Sequence, residues 1–140
     1  MSEAIVIDNL TKYYGKFLAL DSLSLRVAEN ENVGLLGPNG AGKSTTLKIL
    51  CGFLRPSSGT AYIDGISVLK KPEQALARIG AIVETPEFYP FLTPEEILSY
   101  LGRLRGMRGD GLKHRIKEVI QLVRLEEWVT VKIEKFSRGM

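Results

Sequence analysis

The 140-residue sequence is poor in cysteine and histidine, with one of each, and it has no long apolar run. Because Cys51 stands alone, the chain cannot form an internal disulfide, and it suits a reducing compartment. No apolar stretch approaches the roughly 20 residues that a membrane-spanning helix needs.

An excess of charge of one sign is also missing, since the formal net charge is +3. Lys/Arg and Asp/Glu number 9 and 8 in residues 1–84, and 10 and 8 in residues 85–140. Such a balance produces no strong positive electrostatic potential that would attract nucleic acid, so no nucleic-acid partner is expected.

Residues 1–84 have the pattern of a mixed α/β part. The predicted strands are 4–10, 23–27, 32–37, 59–65 and 79–83, and a helix closed by Gly52 is predicted over 43–53. The alternating run 23–27 favours an antiparallel strand with one face in water, whereas 32–37 and 79–83 are interpreted as buried strands.

Residues 85–140 are predicted to be helical, with the boundary near Glu84. Thr93 is a helix cap, Pro94 takes the first helical position, and Glu96 completes a capping box. A second helix is predicted over 112–125, and its apolar face comprises Leu112, Ile116, Val119, Ile120 and Val123.

The stretch "GPNGAGKST" fits the pattern G-x-x-x-x-G-K-[ST] in its required context of strand, loop and helix. Glycines let backbone N–H groups converge on phosphate oxygens, and the following helix points its positive end at them. Lys43 adds a charge for the β- and γ-phosphates, and the Ser44 hydroxyl is a ligand for Mg²⁺. The predicted ATP-binding residues are Gly37, Pro38, Asn39, Gly40, Ala41, Gly42, Lys43, Ser44 and Thr45.

Four segments in order resemble the nucleotide-binding domain of ATP-binding cassette (ABC) transporters. "LTKYYGKFLALDSLSLRV" is similar to the family's opening, and "GPNGAGKSTTLKILCGFLRPSSGTAYIDG" to its phosphate loop, helix and strand. "IGAIVETPEFYPFLTPEEIL" resembles the family's Q-loop, and "FSRGM" stands where the signature LSGGQ is usual. Together the four segments are highly specific for the family.

The resemblance implies further site residues. Tyr14 holds the position of the aromatic residue that stacks on adenine. Glu84 holds the Q-loop position, which contacts Mg²⁺ and the attacking water. Ser137 and Gly139 hold the signature positions that, in the family, contact the γ-phosphate of the ATP bound to a second subunit.

The resemblance also implies the fold and the partners. The fold expected is an α/β P-loop NTPase: a RecA-like core with an antiparallel β subdomain over 1–84, followed by a helical subdomain over 85–140. The family's subunits are cytoplasmic, lie at the membrane through a transmembrane partner, and dimerise head to tail around two ATP molecules. The Walker B strand is expected after Met140, so these residues are expected to be the first part of a longer domain and inactive alone.

Two residues depart from the family's pattern. Glu84 and Met140 each stand where glutamine is usual. Glutamate can still bind Mg²⁺ through oxygen, although its charge lies near the γ-phosphate. The segment around Glu84 resembles the drug-export and antibiotic self-protection branch of the family.

Two alternatives stay open. A non-transport ABC ATPase, acting on ribosomes or chromosomes, would share these motifs. A complete small P-loop ATPase would need a carboxylate at a strand end for Mg²⁺, and Asp8 and Asp64 are its candidates.

Overall fold

The computed structural model describes residues 2–83 and 88–137 of the chain. Internal contacts divide the chain into two compact units, Met1–Thr85 and Pro86–Met140. The assignment of 1–84 to an incomplete nucleotide-binding core and of 85–140 to a helical subdomain stays a prediction.

The first unit is built on an antiparallel sheet of four strands in the described residues, with spatial order β2-β1-β3-β4. The strands are β1 Glu3–Tyr14, β2 Phe17–Ala28, β3 Ser58–Ile63 and β4 Ile66–Ser67. In the central strand β1, Ile7 lies opposite Leu25 of β2 and Ala61 of β3. The antiparallel strand predicted at 23–27 is therefore confirmed, as part of a longer β2.

Helix α1 (Lys43–Leu50) and the short helix α2 (Pro72–Leu76) pack on this sheet. The core of the unit comprises Ile7, Leu10, Leu20, Ile49, Leu50, Ala61, Ile63, Val68 and Ala75. Gly52 follows α1 with φ of 72°, and the N–H of Phe53 donates to the carbonyl of Lys48, so the helix closes at a glycine as predicted. Burial raises the pKa of the Cys51 thiol at the end of α1, which disfavours a reactive thiolate.

The prediction of buried strands at 32–37 and 79–83 is wrong. Neither run is a strand, and Leu36 and Ile82 are 94% and 77% exposed. An apolar run becomes a buried strand only where neighbouring strands bond its backbone and other elements cover its faces. In the part of the chain that the structure describes, the paired strands belong to the antiparallel sheet, and neither run joins it.

The second unit begins with helix α3 (Pro94–Leu104), whose predicted capping box is confirmed. The N–H of Glu96 donates to Thr93 Oγ1 at 3.3 Å, and the N–H of Thr93 donates to Glu96 Oε2 at 2.8 Å. Helix α4 (Gly109–Leu122) packs on α3 where a Cβ atom on Gly102 would overlap Leu112.

Helix α4 begins and ends three residues before the predicted range of 112–125, so Val123 lies beyond it and is 54% exposed. Two 3₁₀ turns follow, at Glu126–Trp128 and Ile133–Lys135. Of the helices in residues 2–83 and 88–137, none has the length and apolar character to cross a membrane.

Candidate nucleotide-binding site

The phosphate loop is an exposed turn between residue 37 and the start of α1. The N–H of Ala41 donates to the carbonyl of Pro38 at 3.2 Å, and residues 37–41 are exposed. Gly40 and Gly42 have φ of 87° and 83°, in the left-handed region. Only glycine adopts this region without strain, which explains why the loop needs glycine at both positions.

Helix α1 presents the N–H groups of its first turn to this loop. Gly42 is the N-cap, and the first intrahelical hydrogen bond runs from the N–H of Thr46 to its carbonyl, at 2.9 Å. Among the described residues, no side chain caps this end of α1, and no acidic residue lies in its first turn. The end of the helix therefore carries partial positive charge toward solvent, as an anion-binding helix requires.

The ammonium group of Lys43 lies over the loop. Its Nζ donates to the carbonyl oxygens of Gly37 and Pro38, at 2.7 Å each. These two acceptors hold the ammonium group against the loop that leads into α1. An anionic phosphate could take over the lysine from the neutral carbonyls, because a charged acceptor bonds an ammonium group more strongly.

Gly42 also joins the loop to the sheet. A Cβ atom there would overlap the side chain of Leu20 and lie 2.6 Å from the carbonyl oxygen of Ala19. The phosphate loop therefore rests directly on β2, and a residue with a side chain would push it away. Neither Leu20 nor Ala19 could be predicted from the sequence to belong to the site, since this contact joins positions more than 20 residues apart.

The same stretch of β2 pairs with the strand end that carries Tyr14. Tyr14 lies opposite Phe17 and is 45% exposed. Lys12 pairs with Leu20 and Tyr13 with Leu18, so the β1–β2 register shifts at Ala19. The hairpin of Tyr14 and the phosphate loop thus meet at one place in the first unit, although the adenine-stacking role of Tyr14 stays a prediction.

The hydroxyl groups of the first turn of α1 have different surroundings. Ser44 is exposed and Thr45 half-buried, whereas Thr46 is buried and its Oγ1 donates to the Gly42 carbonyl at 3.0 Å. Thr46 is a supporting residue that the sequence analysis missed. Its signal was a third consecutive hydroxyl residue in "KSTT".

Ser44 offers a hydroxyl oxygen that fits Mg²⁺, a cation that prefers oxygen ligands. No group of three or more His, Cys, Asp or Glu side chains that could hold a metal occurs in the described residues. Asp64 lies in the β3–β4 turn with φ of 47°, and exposed Asp8 accepts a hydrogen bond from the Asn9 side chain. Ser44 is thus the described residue that would hold Mg²⁺, together with phosphate oxygens, a usual arrangement for this ion with a nucleotide.

The remaining predicted site residues lie elsewhere. Glu84 and Gly139 fall outside the described residues, as does Met140. Ser137, in the second unit, is exposed and follows Phe136, whose ring packs edge-on against Trp128 with centroids 5.9 Å apart. The predicted roles of Glu84, Ser137 and Gly139 stay predictions.

The sequence profile of the ABC transporter family matches residues 20–140. The chain is 39% identical over its full length to the bacitracin transport ATP-binding protein BcrA of Bacillus licheniformis, of which it covers 45%. It is 38% identical over 95% of its length to the linearmycin resistance ATP-binding protein LnrL of Bacillus subtilis, of which it covers 43%. The chain thus spans less than half the length of these relatives.

Solved structures give the same result. An ATP-binding subunit of an ABC transporter is 31% identical, with a TM-score of 0.82, over 98% of this chain and 57% of its own. A dimeric ATP-binding cassette in a post-hydrolysis state, bound to ADP and Pi, is 28% identical, with a TM-score of 0.79, over 96% of this chain and 64% of its own. The predicted family and P-loop fold are confirmed, and the relatives include antibiotic-transport proteins, as the segment around Glu84 predicted. The chain belongs to the ABC transporter family and has the fold of its ATP-binding subunits.

Proposed function

We propose that this chain supplies the ATP-binding part of an ABC transporter subunit that hydrolyses ATP to drive a membrane partner. The observation that carries the proposal is the phosphate loop. There the Lys43 ammonium group donates to the Gly37 and Pro38 carbonyls, at the N-terminus of α1, which no side chain of the described residues caps.

The phosphates of ATP would lie against the N–H groups at the start of α1. Lys43 would release its two carbonyl acceptors and bond the β- and γ-phosphates. The Ser44 hydroxyl and, by resemblance, Glu84 would hold Mg²⁺. The ion, when bound, neutralises charge on the phosphate oxygens. Tyr14, on the hairpin that touches Gly42, would stack on the adenine.

Ser137 and Gly139 would act in trans, on the ATP held by a second nucleotide-binding domain. The dimeric solved relative, bound to ADP and Pi, supports a pair of such domains, and the head-to-tail arrangement follows from the family resemblance. Closing of the pair would then be transmitted to a transmembrane subunit, with the ATPase on the cytoplasmic side. The names of the curated relatives favour transport over a ribosomal or chromosomal role, and the bacitracin and linearmycin in those names suggest an antibiotic as cargo.

The direct test is MgATP binding to the natural protein, measured by isothermal titration calorimetry. Lys43→Ala removes a charged hydrogen bond worth about 1.5–3 kcal/mol, so affinity should fall about 10- to 150-fold. Lys70→Ala, at an exposed position of the same unit, is the matched control and should bind normally. Equal affinity of wild type and Lys43→Ala would contradict the proposal.

A further inference from the structure

Lys12 lies beside the ring of Tyr14, the predicted base platform on which adenine would stack. Nothing in the phosphate-loop motif accounts for this lysine. Its Nζ lies 5.3 Å from the centroid of the Tyr14 ring and donates to the carbonyl oxygen of Arg55 at 2.7 Å. Lys12 is half-buried as a residue, its hydrogen bond to Arg55 is exposed, and its ammonium group contacts both the π face of Tyr14 and the Arg55 carbonyl.

The Arg55 carbonyl is itself held against the end of β1. The N–H of Ser57 donates to the carbonyl of Thr11 at 2.8 Å, and the N–H of Tyr13 donates to Ser57 Oγ at 3.0 Å. Residues 55–57 are therefore hydrogen-bonded along the C-terminal end of β1. The hydrogen bond from Lys12 to Arg55 holds the ammonium group independently of the tyrosine ring.

We propose that Lys12 is a positioning residue for nucleotide binding, which holds the Tyr14 ring so that a purine base stacks on its opposite face. This inference rests on the proposed function. The cation occupies one face of the ring, so a base must use the other. An exposed aromatic side chain that is free in the unbound protein loses rotational freedom when the nucleotide binds. Ordering the ring before binding avoids this cost and should raise the affinity about 2- to 10-fold.

The test compares MgATP with magnesium tripolyphosphate, which lacks a base, as competing ligands of the natural protein. Lys12→Met keeps the length and the apolar stem and removes the charge. We expect it to weaken MgATP about 2- to 10-fold and to leave tripolyphosphate unchanged. Lys12→Arg, which keeps a cation, should retain most of the affinity, and Lys16→Met in the same hairpin is the matched control.

A double-mutant cycle with Tyr14→Leu identifies the ring as the target. If Lys12 acts through Tyr14, Lys12→Met should have no further effect once the ring is absent. The inference is overturned if Lys12→Met leaves MgATP affinity unchanged, weakens both ligands equally, or keeps its full effect without Tyr14. Failure of the proposed function would look different, because MgATP binding would then not depend on Lys43.

Discussion

Gly42 is the point where the phosphate loop touches β2, and an alanine there tests that contact. Its backbone φ of 83° disfavours any side chain, which costs about 1–2 kcal/mol. The new Cβ would overlap Leu20 and lie 2.6 Å from the Ala19 carbonyl oxygen. Overpacking of this kind costs about 1–3 kcal/mol. Gly42→Ala should therefore destabilise the protein by roughly 2–5 kcal/mol.

Gly40→Ala is the matched comparison, because the two glycines differ mainly in their surroundings. Gly40 has φ of 87°, yet a Cβ atom there would meet nothing within 4 Å. We therefore expect Gly40→Ala to lose only the backbone part, about 1–2 kcal/mol. The difference between the two variants isolates the contact between loop and strand.

Urea unfolding without nucleotide, compared at constant slope, measures both losses. Leu20 is buried, at 6% exposure, so its side chain cannot swing into solvent to make room. If the added methyl group displaces the phosphate loop and leaves β2 in place, MgATP affinity should fall more in Gly42→Ala than in Gly40→Ala. Equal stability and equal affinity of the two variants would refute the reasoning.

Three further predictions concern the second unit and Glu84. Thr93→Ala removes one half of the capping box and should cost about 1 kcal/mol, seen as roughly fivefold faster amide exchange in the first turn of α3; unchanged exchange would contradict this. The hydrogen bond from Arg115 lowers the pKa of Glu118. The stability that the ionised Glu118 carboxylate contributes is therefore present above the ordinary carboxyl pKa and is lost as the pH falls through the lowered pKa. Glu118→Gln should thus slightly destabilise α4 at neutral pH but not in strong acid, as pH-dependent melting of both proteins would show. Glu84→Gln should keep or raise ATPase activity, measured as phosphate release, because it removes a negative charge near the γ-phosphate; a loss as large as that of Lys43→Ala would give the acid a catalytic role.

Local patterns predicted the local parts of the fold. The capping box of Thr93 depends on residues within one turn, and the structure has both of its hydrogen bonds. The helix after the phosphate loop begins at Lys43 and closes at Gly52, since glycine conformation at both ends is a local property.

Non-local pairing explains the failures. The runs 32–37 and 79–83 have the composition of buried strands, but composition does not provide the neighbours that a strand must bond. The start of α4 was missed for a different reason. Gly109 and Gly111 each weaken a helix by about 1 kcal/mol, which favours a later start, yet the helix begins at Gly109.

The supporting residues of the site were the least predictable from sequence. The phosphate-loop motif identifies Lys43 and Ser44, but it does not mention Leu20, which fixes the loop on β2. Lys12 and Tyr14 are two apart on β1, a spacing that places side chains on one face of a regular strand. The Arg55 carbonyl that anchors Lys12 lies 43 residues further along the chain, where no periodicity could indicate it.

These two long-range contacts lie near opposite ends of α1. At its N-terminus, Gly42 rests on Leu20 and Ala19, and beyond its C-terminus, the Arg55 carbonyl accepts from Lys12. Both contacts are made by the β1–β2 hairpin, which also carries Tyr14. Since α1 is a rigid element about 12 Å long, a shift of the hairpin relative to the phosphate loop would strain both contacts. Loss of either contact should therefore change the spacing between the predicted base platform and the phosphate loop, and should weaken ATP more than a ligand that has phosphates alone.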